Sequence, residues 1–117
     1  MQRCEPGEAI NLMRGKQGLP LNSSTSLAKT DALEVIRMVL PRGKIVPTHT
    51  ALGEITVQCL SGRVRFEVGT QQLELTPGDW LFLSASQPHA LEAEEESVVL
   101  LTRELGSVRR ERPGPLP

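Results

Sequence analysis

Apolar and polar residues alternate along several short stretches of this chain, and no stretch has the apolar spacing of a long amphipathic helix. The clearest alternation lies in residues 54–60, where Ile55, Val57 and Cys59 are separated by polar residues. Successive side chains of a β-strand point to opposite faces of its sheet. The pattern therefore predicts a half-buried strand whose apolar face is formed by these three residues.

Other stretches rich in Val, Ile, Leu or aromatic residues are short and are bounded by residues that favour turns. These predicted strands span residues 32–40, 63–68, 73–75, 80–83, 90–93 and 98–105. The turn residues between them include Pro41 and Gly43, Ser61 and Gly62, and Pro77–Gly78–Asp79. Several short strands separated by turn residues predict an all-β sandwich or barrel.

The chain has 117 residues, which is enough for one domain with a substantial core and too few for two. We expect an N-terminal strand or loop arm at residues 1–30 and a barrel at residues 31–105. Within the arm, residues 14–30 have the Gly, Ser, Thr and Pro content of a loop. The tail at residues 106–117 is expected to be disordered, because its prolines and arginines leave too little apolar content to pack.

Composition argues against several kinds of partner. The formal net charge of -1 gives no excess of cationic side chains for nucleic acid. No apolar run approaches the roughly 20 residues that cross a bilayer, and the N-terminus lacks the apolar segment of a secretory signal. The two cysteines, Cys4 and Cys59, are too few for a disulfide framework and are expected to be reduced. We therefore expect a cytoplasmic protein with no nucleic-acid or membrane partner.

The two histidines of the chain, His49 and His89, each occupy a place in a spaced pattern of turn residues. Five residues separate Gly43 from His49, and Gly62 follows the next predicted strand. The Gly78–Asp79 turn then leads through a further strand to His89. These two motifs resemble those of the cupin superfamily, in its small single-domain, conserved-barrel type. The resemblance covers most of the chain and implies a double-stranded β-helix, the cupin jelly-roll barrel of two antiparallel sheets.

The sequence departs from the cupin pattern at the positions that hold metal. The resemblance implies a metal bound by two histidines and a glutamate of the first motif and by the histidine of the second. Here Ala51 stands at the second histidine position and Ile55 at the glutamate position, while Ala93 replaces a frequent asparagine. Glu54 lies one residue early, and a shift of one residue turns a strand side chain to the opposite face. Glu54 is therefore expected to point away from the barrel interior.

Two histidines alone do not make a tight site for Mn, Fe, Ni or Zn, which generally needs three or more protein ligands. We therefore expect no firmly held cofactor and at most a weakly bound divalent metal at His49 and His89. The pair could also have a purely structural role.

Cys59 faces inward with Val57 and is either a soft third ligand or, as free cysteine commonly is, a small buried hydrophobe.

The sequence favours a barrel that binds a small molecule, with His49, His89, Val57 and Cys59 as its ligand-binding residues. An apolar pocket with a few polar anchors is the usual composition of such a site. The alternative is a metal-dependent dioxygenase or isomerase in which water or a bound ligand completes the two-histidine site. A third possibility is a structural dimerisation module.

A homodimer is expected, because an open antiparallel barrel leaves sheet edges that need covering, and small cupins resemble one another in pairing through such edges. The candidate contact segments are the first strand and the apolar run at residues 98–101. Trp80 and Phe82 are expected in the core or at an interface, since aromatic rings bury a large area.

Overall fold

The computed structural model describes residues 4–14 and 20–105, and within them it contains nine β-strands and no α-helix. The strands are β1 (Thr25–Lys29), β2 (Leu33–Leu40), β3 (Ile45–His49), β4 (Ile55–Ser61), β5 (Val64–Val68), β6 (Gln71–Leu75), β7 (Trp80–Leu83), β8 (His89–Ala93) and β9 (Ser97–Glu104). None of the described segments forms a helix that could span a membrane.

The strands form two antiparallel sheets that together make the barrel. One has five strands in the order β1-β2-β9-β4-β7, and the other has four in the order β3-β8-β5-β6. Strand β9 lies in the middle of the larger sheet, between β2 and β4. The predicted all-β jelly roll of two antiparallel sheets is confirmed.

The core lies between the two sheets and follows the period of two that the sequence shows. Ile55, Val57 and Cys59 of β4 are buried, and so are Val64 and Phe66 of β5 on the facing sheet. Burial of one such side chain contributes about 1.5–3 kcal/mol, before the entropy cost of ordering it. Apolar alternation on two facing sheets therefore stabilises the barrel.

The N-terminal arm covers part of the outer face of the five-stranded sheet. Arg37 of β2 is only 2% exposed. Its Nε donates to the carbonyl oxygen of Leu12 at 2.6 Å, and its Nη1 donates to that of Leu21 at 3.0 Å. The hydroxyl oxygen of Ser24 accepts from the backbone N–H of Val39 at 2.9 Å. These bonds fasten the arm over β2, whereas Trp80 and Phe82 of β7 are exposed in the described structure.

The sequence pattern gave no bounds for two of the strands, for different physical reasons. Strand β1 lies within the arm expected at residues 1–30, where residues 14–30 have loop composition, and a register shift between Ser26 and Ala28 interrupts its pairing with β2. Strand β3 is mostly exposed and contains Pro47, which has no N–H to donate to the ladder. Its register with β8 is interrupted between Val46 and His49.

The tail at residues 106–117, which the sequence predicts to be disordered, lies outside the described residues.

Candidate functional site

The two histidines meet at one end of the four-stranded sheet. His49 is the last residue of β3 and His89 is the first residue of β8, and they are register partners. Their ring centroids lie 4.3 Å apart, with an angle of 60° between the ring planes. His89 is buried, whereas His49 is exposed. Strand pairing therefore brings together two imidazoles that are 40 positions apart in the sequence.

Backbone contacts fix which nitrogen of each ring carries the hydrogen. The Nδ1 atom of His49 lies 2.9 Å from the carbonyl oxygen of Pro47, and that of His89 lies 2.9 Å from the carbonyl oxygen of Gln87. A carbonyl oxygen can only accept, so Nδ1 is the donor in both rings. In the neutral form of each ring, Nε2 then has a free lone pair. Neither Nε2 bonds to any residue that the structure describes.

The loop between β7 and β8 holds His89 in place. The backbone N–H of Ser84 donates to the side chain of Gln87 at 3.0 Å, and that of Ser86 donates to the carbonyl oxygen of Ala51 at 2.9 Å. Ser86 has a φ of 65°, a left-handed conformation that is uncommon for a residue other than glycine. The loop is thus fastened to the segment that follows His49.

The histidines open onto a cavity of about 330 Å³ between the two sheets. Most of its lining is aliphatic, and the lining residues are Met38, Val46, His49, Thr50, Ala51, Leu52, Ile55, Val57, Phe66, His89, Leu91, Val99, Leu101, Arg103, Glu104 and Leu105. Three of the four ligand-binding residues predicted from sequence thus lie at one cavity. The size and composition suit a small apolar molecule with a few polar groups.

Cys59, the fourth predicted residue, does not line this cavity. It is fully buried, and its Sγ donates to the carbonyl oxygen of Ser61 at 3.5 Å. Burial raises the pKa of the thiol, which disfavours the thiolate that binds metal. Cys59 therefore lies in the core and outside the lining of the cavity.

Sequence reasoning missed one charged pair at the cavity. Arg103 of β9 lines the cavity, and its Nε and Nη2 donate to Oε1 of Glu34 at 3.1 and 2.7 Å. The hydrogen bond from Arg103 lowers the pKa of the Glu34 carboxyl, so this carboxylate stays ionised at neutral pH. The sequence did contain a signal, since Arg103 continues the inward alternation of Val99 and Leu101.

Comparison with known proteins bears on the fold and the family. A family model described as Cupin domain matches residues 36–102, which is more than half of the chain. The chain belongs to the cupin family. A search of curated protein sequences found no significant match.

Solved cupin structures share the fold of this chain at low sequence identity. A cupin superfamily protein from Desulfitobacterium hafniense is 18% identical, with a TM-score of 0.75 over 89% of this chain and 96% of the other. A conserved protein of unknown function from Streptococcus pyogenes is 21% identical, with a TM-score of 0.72 over 88% and 91%. A DMSP lyase from Ruegeria pomeroyi is 23% identical, with a TM-score of 0.63 over 76% and 49%. At these identities the similarity shows the fold alone.

The cupin metal-ligand positions of this chain face the cavity but carry apolar side chains. Ala51 and Ile55 both line it. Glu54 is exposed and does not line the cavity, as the shift of one residue predicts. Among the described residues there is no group of three or more His, Cys, Asp or Glu side chains that could hold a metal ion. This donor set does not fit the tightly bound metal that the cupin family implies.

Proposed function

We propose that this cupin binds a small, mainly apolar molecule in the cavity and that His49 and His89 anchor it. The observation that carries the proposal is the contact of each Nδ1 with a backbone carbonyl oxygen, from which the tautomer follows. Both Nδ1 atoms lie at hydrogen-bond distance from backbone carbonyl oxygens, so in the neutral rings both Nε2 atoms can accept hydrogen bonds beside an aliphatic cavity. Val57 and its aliphatic neighbours would contact the apolar body of the ligand.

The geometry of the two histidines also indicates which chemical group of a ligand they would bind. Two neighbouring lone pairs are satisfied by a group that donates hydrogen, such as a hydroxyl, a phenol or an amine. Because His89 is buried, leaving its Nε2 unpaired next to a ligand would carry a desolvation cost. Ligands with a hydrogen-bond donor at this end are therefore favoured over purely apolar ones of equal size.

The same tautomer gives the metal-dependent enzyme its one supporting observation. Histidines that bind metal usually donate their other ring N–H to a carbonyl or carboxylate, as both rings do here. A dioxygenase or isomerase reaction would need water or substrate to supply the missing ligands. The apolar side chains at positions 51 and 55 make this the second candidate.

A plugged variant tests the binding proposal. Ala51→Phe places a bulky ring at the mouth of the cavity, where Ala51 is partly buried. Ligand-observed NMR with a fragment library should give saturation transfer to wild-type protein, and at least about tenfold weaker binding to the variant, since a bound fragment needs most of its surface enclosed. Ala85→Phe, on an exposed loop residue that does not line the cavity, is the matched control and should bind like wild type. Equal binding by wild type and the plugged variant would place the fragments elsewhere and contradict the proposal.

We also propose that the protein forms a homodimer. The contact would use the outer face of the five-stranded sheet at strands β4 and β7, where aromatic side chains are exposed. Trp80 and Phe82 are 60% and 49% exposed, and their rings stack with centroids 6.4 Å apart. The register places them on the same face as Gln58 and Leu100. The core alternative for these two aromatic residues is therefore wrong. A two-fold axis would pair this uncharged, apolar patch with itself, and monomers rarely expose such patches.

The contact segments proposed from sequence need one revision. Residues 98–101 lie in the central strand β9, so they can contribute through their outer face but not as a sheet edge. Light scattering should give twice the 12.8 kDa mass of one chain at micromolar concentration. Trp80→Ser with Phe82→Ser should shift the protein toward monomer, whereas Ile45→Ser, at an exposed apolar residue of the other sheet, should not. A wild-type monomer at this concentration would contradict the dimer.

A further inference from the structure

Among the described residues that line the cavity, Arg103 is the one Lys or Arg side chain. It pairs in register with Ile55 of β4 on one side and with Glu34 of β2 on the other. It therefore lies next to the position at which Ile55 has taken the place of a carboxylate ligand. A positive charge at this place repels a dication and attracts an anion.

Glu34 orients the guanidinium of Arg103 while accepting hydrogen bonds from only some of its N–H groups. Two of its five N–H donors, on Nε and Nη2, bond to Oε1 of Glu34. The two hydrogens on Nη1 and the second hydrogen on Nη2 make no hydrogen bond to any residue that the structure describes. The Arg103 side chain is 43% exposed, while that of Glu34 is only 10% exposed. The buried Glu34 carboxylate thus orients the guanidinium of Arg103, and the remaining N–H groups of Arg103 can donate to a ligand.

We propose that Arg103 selects ligands that carry a single carboxylate, an inference that rests on the small-molecule function proposed above. A planar guanidinium with free donors matches the two oxygens of a carboxylate, and the bonds are strengthened by the opposite charges. The ligand class is a small monocarboxylic acid with an apolar body. The body packs against Val99 and Leu101 and the other aliphatic residues of the lining, and a hydroxyl or amine of the ligand donates to the histidine pair.

The charged residues at the cavity also limit how many negative charges the ligand can carry. Glu104 lines the rim, and its Oε1 accepts from the backbone N–H of Glu54 at 3.2 Å. Arg103 is the one Lys or Arg among the described lining residues, and its guanidinium can pair with one carboxylate of a ligand. A second negative charge on the ligand would have no cationic side chain to pair with among these residues. Dicarboxylates and phosphate esters are therefore disfavoured.

Matched acid and amide pairs test the proposal directly. The probes are 4-hydroxybenzoate, 4-hydroxyphenylacetate and 2-hydroxy-4-methylpentanoate, each compared with its primary amide by ligand-observed NMR titration. Wild-type protein should bind at least one acid about tenfold or more tightly than its amide, because the charged hydrogen bonds are lost in the amide. Arg103→Gln should remove this preference. Arg63→Gln, the same charge change at an exposed residue just before β5 that does not line the cavity, should preserve it.

Loss of Arg103 leaves Glu34 buried and unpaired, so the double variant Arg103→Gln with Glu34→Gln serves if the single variant is unstable. An unchanged preference for the acids in the double variant overturns the proposal. So does equal binding of acids and amides by wild type, or binding of neither. In these cases the small-molecule function still stands if fragments bind wild type and not the plugged variant at position 51. It fails as well if no fragment binds.

Discussion

The double variant Ala51→His with Ile55→Glu should bind Mn²⁺, Ni²⁺ or Zn²⁺ at least about a thousandfold more tightly than wild type. Loss of a single supporting contact to a metal ligand already costs about 10–100-fold in affinity, and here two direct ligands are added. Both positions line the cavity beside the histidine pair, so both new side chains enter it. Isothermal titration calorimetry with each metal measures the change.

Arg103 should limit this gain, because it is the register partner of position 55 and would pair with a carboxylate placed there. Adding Arg103→Met to the double variant should therefore tighten metal binding further. The matched control is Ala85→His with Ile45→Glu, which adds the same residue types at exposed positions outside the cavity. If the control gains as much affinity as the double variant, the added groups act as isolated surface ligands and the geometry proposed for the cavity is wrong.

Gly62→Ala should destabilise the fold by about 3–5 kcal/mol, among the larger effects expected of a single substitution. Gly62 follows β4 with a φ of 86°, a conformation that favours glycine. A Cβ at this position would collide with the Ser97 hydroxyl and the Glu96 carbonyl oxygen, and it would lie 2.7 Å from the Cα of Ser97. Ser97 is fully buried, and its hydroxyl oxygen accepts from the backbone N–H of Arg63 at 3.0 Å, so it cannot easily move away.

Gly78→Ala separates the two contributions to this effect. Gly78 has a φ of 96°, but no atom lies within 4 Å of the place that a Cβ would occupy, so its substitution carries the backbone cost without the collision. That cost is about 1–2 kcal/mol. Urea unfolding of wild type and both variants gives the comparison. A loss for Gly62→Ala no larger than that for Gly78→Ala would show that close packing against Ser97 does not constrain the turn.

The barrel was predictable from sequence wherever the chain alternates strictly between apolar and polar residues. Strand β4 is the clearest case, since Ile55, Val57 and Cys59 all pack into the core as their spacing predicts. Strands β1 and β3 could not be given bounds, because a register shift interrupts the pairing of β1 with β2 and Pro47 interrupts the ladder of β3. Local pattern predicts a strand only where the ladder is regular.

The candidate site was predictable only in part, because its parts meet through strand pairing. The motif spacing identified His49 and His89, but their contact at 4.3 Å depends on the register of β3 with β8. The hydrogen bonds that fix their tautomers are accepted by backbone carbonyl oxygens, and every residue has such a carbonyl, so the sequence does not indicate them. The pairing of Arg103 with Glu34 joins residues 69 positions apart and needs the same sheet to bring them together.

The metal content of wild-type protein, purified without a histidine tag, tests the central claim most directly. We expect elemental analysis to find well under one equivalent of Mn, Fe, Ni or Zn per chain, and we expect a chelator to remove what is present. The reason is that His49 and His89 are backed by apolar residues at positions 51 and 55, with no third ligand group among the described residues. A stoichiometric metal that survives chelation would contradict this account and would favour the metal-dependent enzyme.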